Sequence, residues 1–329
     1  MQSFNQLVLS APRRLAMPIA VYPGAALTGA SVQEITQNPD AQFRAQAALQ
    51  HRYHAPWVLS AMDLSAEAEA FGCSLHKSED EIPSVTGRLV TTLPEARELK
   101  VPKPGDKRTA VYLETLARLR RHYPHLLVLG GCIGPFSLAA RLAGVSETME
   151  LMVTEPEIIH TLLSKSTEFL GAYLKAFHAR GADGVIMAEP AAGLLSPRMM
   201  KEFSCAYIRQ LADSLPSPNF ALIYHNCAAK LMHLPVLWET GIQTFHFGVP
   251  MDLPAALAQA PANTVICGNL DPTGVFVQAS PAEVEQKTRK LLYDTKGIRH
   301  FVISSGCDIP AKAPLANLDA FFKAVDDTP

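Results

Sequence analysis

Short, almost wholly apolar runs rich in β-branched residues recur along this chain, and amphipathic helical stretches lie between most of them. The runs fall at 17–22, 57–62, 126–129, 184–188, 220–224, 243–247, 264–267 and 300–304. The clearest helical stretches are 39–54, 107–122, 155–179, 197–214, 281–293 and 315–325. A half-exposed strand alternates apolar with polar residues. Strands that are apolar throughout belong to a sheet covered on both faces, and their alternation with helices makes that sheet parallel. Eight such units in 329 residues predict an α/β fold of the (β/α)8 TIM-barrel type. Counting alone leaves a doubly wound sheet as the alternative. No tandem repeat or low-complexity linker divides residues 1–329, which read as a single domain.

Two segments depart from the plain pattern. Residues 63–106 are too long for one loop and read as an insertion after the second strand, with short β-like pieces at 74–76 and 88–91. Such a segment can act as a lid over the barrel mouth. The stretch Tyr22-Pro23-Gly24-Ala25-Ala26-Leu27-Thr28-Gly29 is glycine-containing but lacks the Lys-Ser/Thr of a phosphate-binding loop and the spacing of a dinucleotide fingerprint. It reads as a tight strand-to-helix connection.

Composition narrows the partners. With 48% hydrophobic and 18% charged residues, the chain can bury a large core. Its 29 basic residues against 31 acidic ones give no surplus to neutralise a phosphate backbone, so nucleic acid is not expected as a partner. No apolar run approaches the roughly 20 residues that cross a bilayer, so no membrane partner is expected. Neither the start of the chain nor Pro329 carries an address or anchor, and the expected location is cytoplasmic. Six scattered cysteines fit reduced thiols better than a disulfide framework.

The costly polar residues sit just after the proposed strands, which in a barrel is the mouth where active sites lie. His225 and Cys227 are two apart on an extended segment, so both side chains point to one side. Cys307 arrives from the last strand and completes a set of two thiolates and one imidazole. That donor set suits zinc, and three protein ligands leave an open catalytic position. The competing reading is one buried histidine and two buried cysteines. Glu189, after the fourth strand, is either a fourth ligand or nearby base, or a carboxylate satisfied by backbone amides. His246 is a group supporting the ligands or a core histidine. Asp63, Glu67 and Glu69 face the mouth or are ordinary charges near a helix start. Cys267 reads as a buried spectator, and Cys73, Cys132 and Cys205 as structural.

At the His-Asn-Cys and Gly-Cys segments the chain resembles the methylcobamide:coenzyme M methyltransferases of the uroporphyrinogen decarboxylase-like superfamily. The resemblance extends through Met62-Asp63-Leu64-Ser65, Gly134-Pro135-Phe136-Ser137, Glu189-Pro190, Gly268-Asn269-Leu270-Asp271-Pro272 and Gly306-Cys307-Asp308-Ile309-Pro310. It implies a (β/α)8 barrel with Zn2+ on His225, Cys227 and Cys307. Asp63, Glu189 and His246 are then candidate catalytic residues, and Asn269 and Asp271 candidate cofactor-binding residues. It also implies a methylated corrinoid protein as partner and methyl donor, and a small thiol such as coenzyme M as acceptor, with a pterin such as tetrahydrofolate as the alternative. A uroporphyrinogen decarboxylase would want arginines for its substrate's carboxylates in the loop after the first strand, and 22–28 contains none. Two further readings are a zinc-carrying corrinoid-binding subunit without catalysis, and a metal-free barrel using Glu189 and His246.

Overall fold

The computed structural model describes residues 2–328; Pro329 lies outside the described residues. Seven strands form one parallel sheet: β1 (Trp57–Leu59), β4 (Leu127–Ile133), β5 (Gly184–Ala188), β6 (Ala221–Asn226), β7 (Thr244–Phe247), β8 (Val265–Leu270) and β9 (Phe301–Ser305), hydrogen-bonded in that order. The short strands β2 (Ser74–His76) and β3 (Ser84–Thr86) form a separate antiparallel pair. Every residue of β1, β4, β5, β7 and β9 is buried, as uninterrupted apolar runs require. Helices cover the sheet, the longest being Pro156–Ala179, which buries Leu162, Phe169, Tyr173 and Phe177.

The first expected strand, 17–22, does not form as a ladder. One parallel bridge joins Ala16 to Ile303, with Met17 N–H donating to the Ile303 carbonyl at 2.9 Å and Ile303 N–H to that of Leu15 at 3.1 Å. Pro18 then lacks the next donor. Further on, Ile19 N–H donates to the Ser305 side chain at 3.0 Å, so a hydroxyl replaces the carbonyl a ladder would supply. The segment nonetheless lies alongside β9. The Tyr22–Gly29 stretch is the tight connection expected: a single 3-10 turn runs into the short helix Ala25–Thr28.

Residues 63–106 hold the helix Ala66–Phe71, the β2–β3 pair and the helix Leu93–Glu98. The strand expected at 74–76 is present, but its partner is Ser84–Thr86 and not 88–91. Leu89 and Val90 instead donate their N–H groups to the Leu142 carbonyl, tying the segment to the end of the Pro135–Ala143 helix. Among the described residues, no helix is long and apolar enough to cross a membrane.

Candidate metal centre

All seven strands of the large sheet run the same way, so their C-terminal ends share one rim. His225 lies within β6, Cys227 just beyond it, and Cys307 two residues past β9. The side chains of His225, Cys227 and Cys307 converge there, their donor atoms all within 4.8 Å of one another. They can hold a metal ion between them. Gly248, after β7, presses against the Cys227 turn. A Cβ at Gly248 would stand 2.2 Å from the Cys227 carbonyl oxygen, so this approach requires glycine and fixes the turn that presents the thiol.

The imidazole is built in from behind. His225 pairs with His246 across the β6–β7 ladder, and their Nδ1 atoms meet at 2.8 Å. His246 Nε2 lies 2.7 Å from Ser304 Oγ, whose hydroxyl in turn donates to the Met17 carbonyl. Only one proton pattern satisfies the chain while leaving His225 Nε2 without a proton. His225 donates from Nδ1 to His246, and His246 donates from Nε2 to Ser304. Burial, and then the neighbouring His225, holds His246 well below the ordinary imidazole range, so it stays neutral and can accept. His225 Nε2 is buried and has no hydrogen-bond partner. A buried nitrogen left bare beside two sulfurs is a ligand atom in waiting.

The two thiols share their protons unequally. Donation from the Cys307 thiol draws Cys227 down to about 4. Cys307 is pushed up as the donor of that pair, with burial adding to the effect. The cluster therefore already stabilises one thiolate, the state in which cysteine binds metal. The other four cysteines are buried, as expected of spectators; Cys267 is raised by burial alone.

Glu189 does not join this group. Its carboxylate lies at the N-terminus of the Pro135–Ala143 helix, accepting from Ser137 N–H at 2.7 Å, Phe136 N–H at 3.2 Å and the Ser204 hydroxyl at 2.8 Å. Both oxygens accept from the helix amides and Ser204, and of the two readings of Glu189 the carboxylate held by backbone amides matches this geometry. A Cβ at Gly134 would fall 2.3 Å from the Glu189 side chain, so the cap is fitted closely. Burial raises the Glu189 carboxyl, while these bonds pull it down.

Asp63 is also enclosed. It accepts from Ser65, from the Tyr112 hydroxyl at 2.8 Å and from the Arg108 guanidinium, which also holds Glu69 at 2.6 Å. Within the acidic run after β1, Asp63 and Glu69 are held by the buried Arg108, while Glu67 and Glu69 lie in the first turn of the Ala66–Phe71 helix. Asn269 donates to the carbonyls of Gly248 and Met251 at 3.0 and 2.7 Å, holding the loop beside Cys227. Asp271 accepts from the N–H groups of Thr273 and Gly274 in a tight turn.

Sequence reasoning missed two groups. Asp308 follows Cys307, and both its carboxylate oxygens are buried and unpartnered; burial raises its carboxyl well above the ordinary range. Ser304 anchors His246. The polarity of Ser304-Ser305 at the end of an apolar strand was the available signal for the latter.

Comparison with known proteins agrees with the motifs. The uroporphyrinogen decarboxylase (URO-D) family matches residues 11–328. A methylcobamide:CoM methyltransferase, MtbA, of Methanosarcina acetivorans is 29% identical over 260 residues, 78% of this chain and 75% of the relative. A methylated-thiol–coenzyme M methyltransferase of Methanosarcina mazei is 30% identical over 277 residues, covering 81% and 71%. Among solved structures, a methyltransferase from Methanosarcina mazei superimposes with a TM-score of 0.87 over 99% of both chains at 21% identity, which shows the shared fold. The chain belongs to the uroporphyrinogen decarboxylase family, among relatives that include the methylcobamide:CoM methyltransferases.

Proposed function

We propose that this chain is a zinc-dependent corrinoid methyltransferase that moves a methyl group from a methylated corrinoid protein to a small thiol of the coenzyme M kind. The observation that carries the reading is the bare, buried Nε2 of His225 facing the thiols of Cys227 and Cys307. One imidazole and two sulfurs fit Zn2+ and leave one position open. Zinc in that position would acidify a thiol without abolishing its nucleophilicity. The chain's own residues hold this arrangement in place. His246 and Ser304 fix the His225 ring and its tautomer, Gly248 and Asn269 hold the Cys227 turn, and Glu189 anchors the helix beside β5. Asp63 belongs to the same reading as a positioning residue, through Arg108. Asn269 and Asp271 shape the loop at which the corrinoid would arrive.

The finer architecture is part of this proposal. Residues 1–329 form one (β/α)8 barrel, with the 15–19 segment standing as its first strand beside β9. Residues 63–106 are its insertion and border the docking face of the corrinoid protein. A cytoplasmic location accords with six free thiols. A pterin acceptor remains the alternative within the same site.

Decarboxylation, the activity named for the family, is less well supported. The arginines nearest the first strand, Arg13 and Arg14, face the other end of the sheet. Arg13 pairs with Asp326, and Arg14 donates to the carbonyls of Thr295, Ile298 and Phe301 before β9 begins or at its first residue.

The test is demethylation of methylcobalamin by metal-loaded protein with a thiol acceptor. We expect thiol-dependent demethylation that falls by about a thousandfold or more in Cys227→Ala, since the site loses a ligand. Full activity in that variant would exclude the metal site from the reaction.

A further inference from the structure

The end of the sheet away from the metal group has a cavity of its own, of about 520 Å3, between the N-terminal segment and the turn that leads into β9. Five cations line it, Arg13, Arg14, Arg289, Lys296 and Arg299, and among the described residues no carboxylate does. Arg13 pairs with Asp326, and Arg289 with Glu285 and Asp327. Lys296 and Arg299 are exposed and have no ion pair among the described residues. The turn that presents them is firmly held. Arg14 donates to the carbonyls of Thr295, Ile298 and Phe301 at 2.9, 2.5 and 2.7 Å, and its guanidinium lies 5.0 Å from the centre of the Phe301 ring. Gly297, between the two free cations, takes φ +81°, a left-handed conformation that suits glycine. A cleft lined by one sign of charge attracts an anion, and cations already in position bind it at a lower entropy cost. The rest of the wall is apolar, with Val8, Leu15 and Leu292, and beside them Tyr293 is 77% exposed. Asp294, on the same helix end, is already paired with Lys290. An open aromatic ring beside a basic cleft offers a stacking face for a flat, charged ligand.

We propose that this cavity binds a nucleoside polyphosphate, with its phosphates on Lys296 and Arg299 and its base on the Tyr293 ring. The inference goes beyond the methyl-transfer reading and does not depend on it, since no residue of the metal group takes part. Arginine suits phosphate because its planar fork meets two oxygens at once, and lysine adds a compact charge. Cations alone would serve any small anion, and an exposed ring alone would serve any flat apolar molecule. The cavity offers both, and its volume falls within the roughly 300–1,000 Å3 of small-molecule sites. Binding is reversible, and no bond of the ligand is broken.

Calorimetric titration of the full-length protein with ADP, adenosine and pyrophosphate tests this. It is run on the wild type, on the double variant Lys296→Glu with Arg299→Glu, and on Tyr293→Ala. All three positions are exposed, so the variants should keep the wild-type melting temperature. We expect ADP to saturate the wild type below about 1 mM, with adenosine and pyrophosphate each bound about tenfold more weakly or worse. Reversing both charges should weaken ADP and pyrophosphate by about tenfold or more, and added salt should weaken both in the wild type. Tyr293→Ala should weaken ADP by about fivefold or more and leave pyrophosphate unchanged. Wild-type protein that does not bind ADP at about 1 mM would overturn the proposal, as would pyrophosphate bound as tightly as ADP, whether or not any variant folds. An ADP affinity that charge reversal leaves in place would overturn it too. Because phosphate can also ligate a metal ion, the titration is repeated on Cys307→Ala. ADP binding lost there but kept in the charge-reversed protein would put the phosphates on the metal group and end the proposal. Binding kept in Cys307→Ala and lost on charge reversal upholds it.

Discussion

Two buried polar clusters stand at the same end of the sheet and are built on opposite principles. Around Asp63, the guanidinium of Arg108, the hydroxyl of Tyr112 and the side chain of Ser65 meet one carboxylate, and Glu69 takes the guanidinium's remaining edge. Around His225, an imidazole nitrogen and both oxygens of the neighbouring Asp308 are buried with nothing bonded to them. The first cluster is closed and the second is open. Closed networks fix a conformation, whereas open ones are stable only because something outside the chain completes them.

The contrast can be broken from the closed side first. Arg108→Met would leave Asp63 without its cation in a dry site, while Glu69 keeps Lys77. Removing one partner of a buried pair costs about 3–5 kcal/mol. Chemical denaturation should show a loss of that size, with metal content per folded molecule unchanged. A neutral result would mean that water reaches Asp63 and that the cluster is not closed.

Smaller in effect is His246→Phe, which keeps the volume and removes the acceptor for His225 Nδ1. Supporting partners of metal-bound histidines are worth about 10–100-fold in metal affinity. Competition with a chelator should show a loss in that range and little change in melting temperature of the metal-free protein. Unchanged affinity would reduce His246 to a core histidine.

Smallest is a pH effect at Glu67. This carboxyl is fully buried behind β4, with Oε1 accepting from Ile133 N–H at 3.1 Å and Oε2 unpartnered. Burial raises it to about 8. A carboxyl raised on folding is protonated more readily in the native state than in the unfolded chain. Its stabilising contribution is therefore whole below the unfolded value, near 4.5, and is lost as pH rises through about 8. Glu67→Gln removes that dependence. The difference in unfolding free energy, variant minus wild type, should grow more positive from pH 5 to pH 8.5, by an amount on the order of 1 kcal/mol after relaxation of the site. A difference that is flat with pH would show Glu67 to be ionised in the folded protein.

Much of this was legible in the sequence, and the failures have physical causes. Strands β5 to β9 were marked by apolar runs, and β6 was expected to end near His225. The strand at 17–22 was overestimated because Pro18 and the hydroxyl of Ser305 interrupt the backbone pairing that its composition suggests. Strand β4 was underestimated because Gly130 and Gly131 carry little strand signal, yet they continue the ladder to Ile133. At the site, the spacing of His225 and Cys227 and the position of Cys307 foretold their convergence. The choice between the two readings of Glu189 could not be made from the sequence, since it depends on the Pro135–Ala143 helix pointing its amides at β5 from 52 residues away. Arg108 escaped notice for the same reason: its partners lie 39 and 45 residues earlier. Contacts within one strand end show in the sequence, while those between elements wait for the fold.

The central claim is that the open cluster is a zinc site. Elemental analysis of the purified full-length protein, alongside His225→Ala and Cys307→Ala, tests it most directly. We predict close to one zinc per chain in the wild type and a loss of it in both variants while the fold persists. Wild-type protein without zinc after zinc supplementation, or zinc that neither substitution removes, would contradict the account.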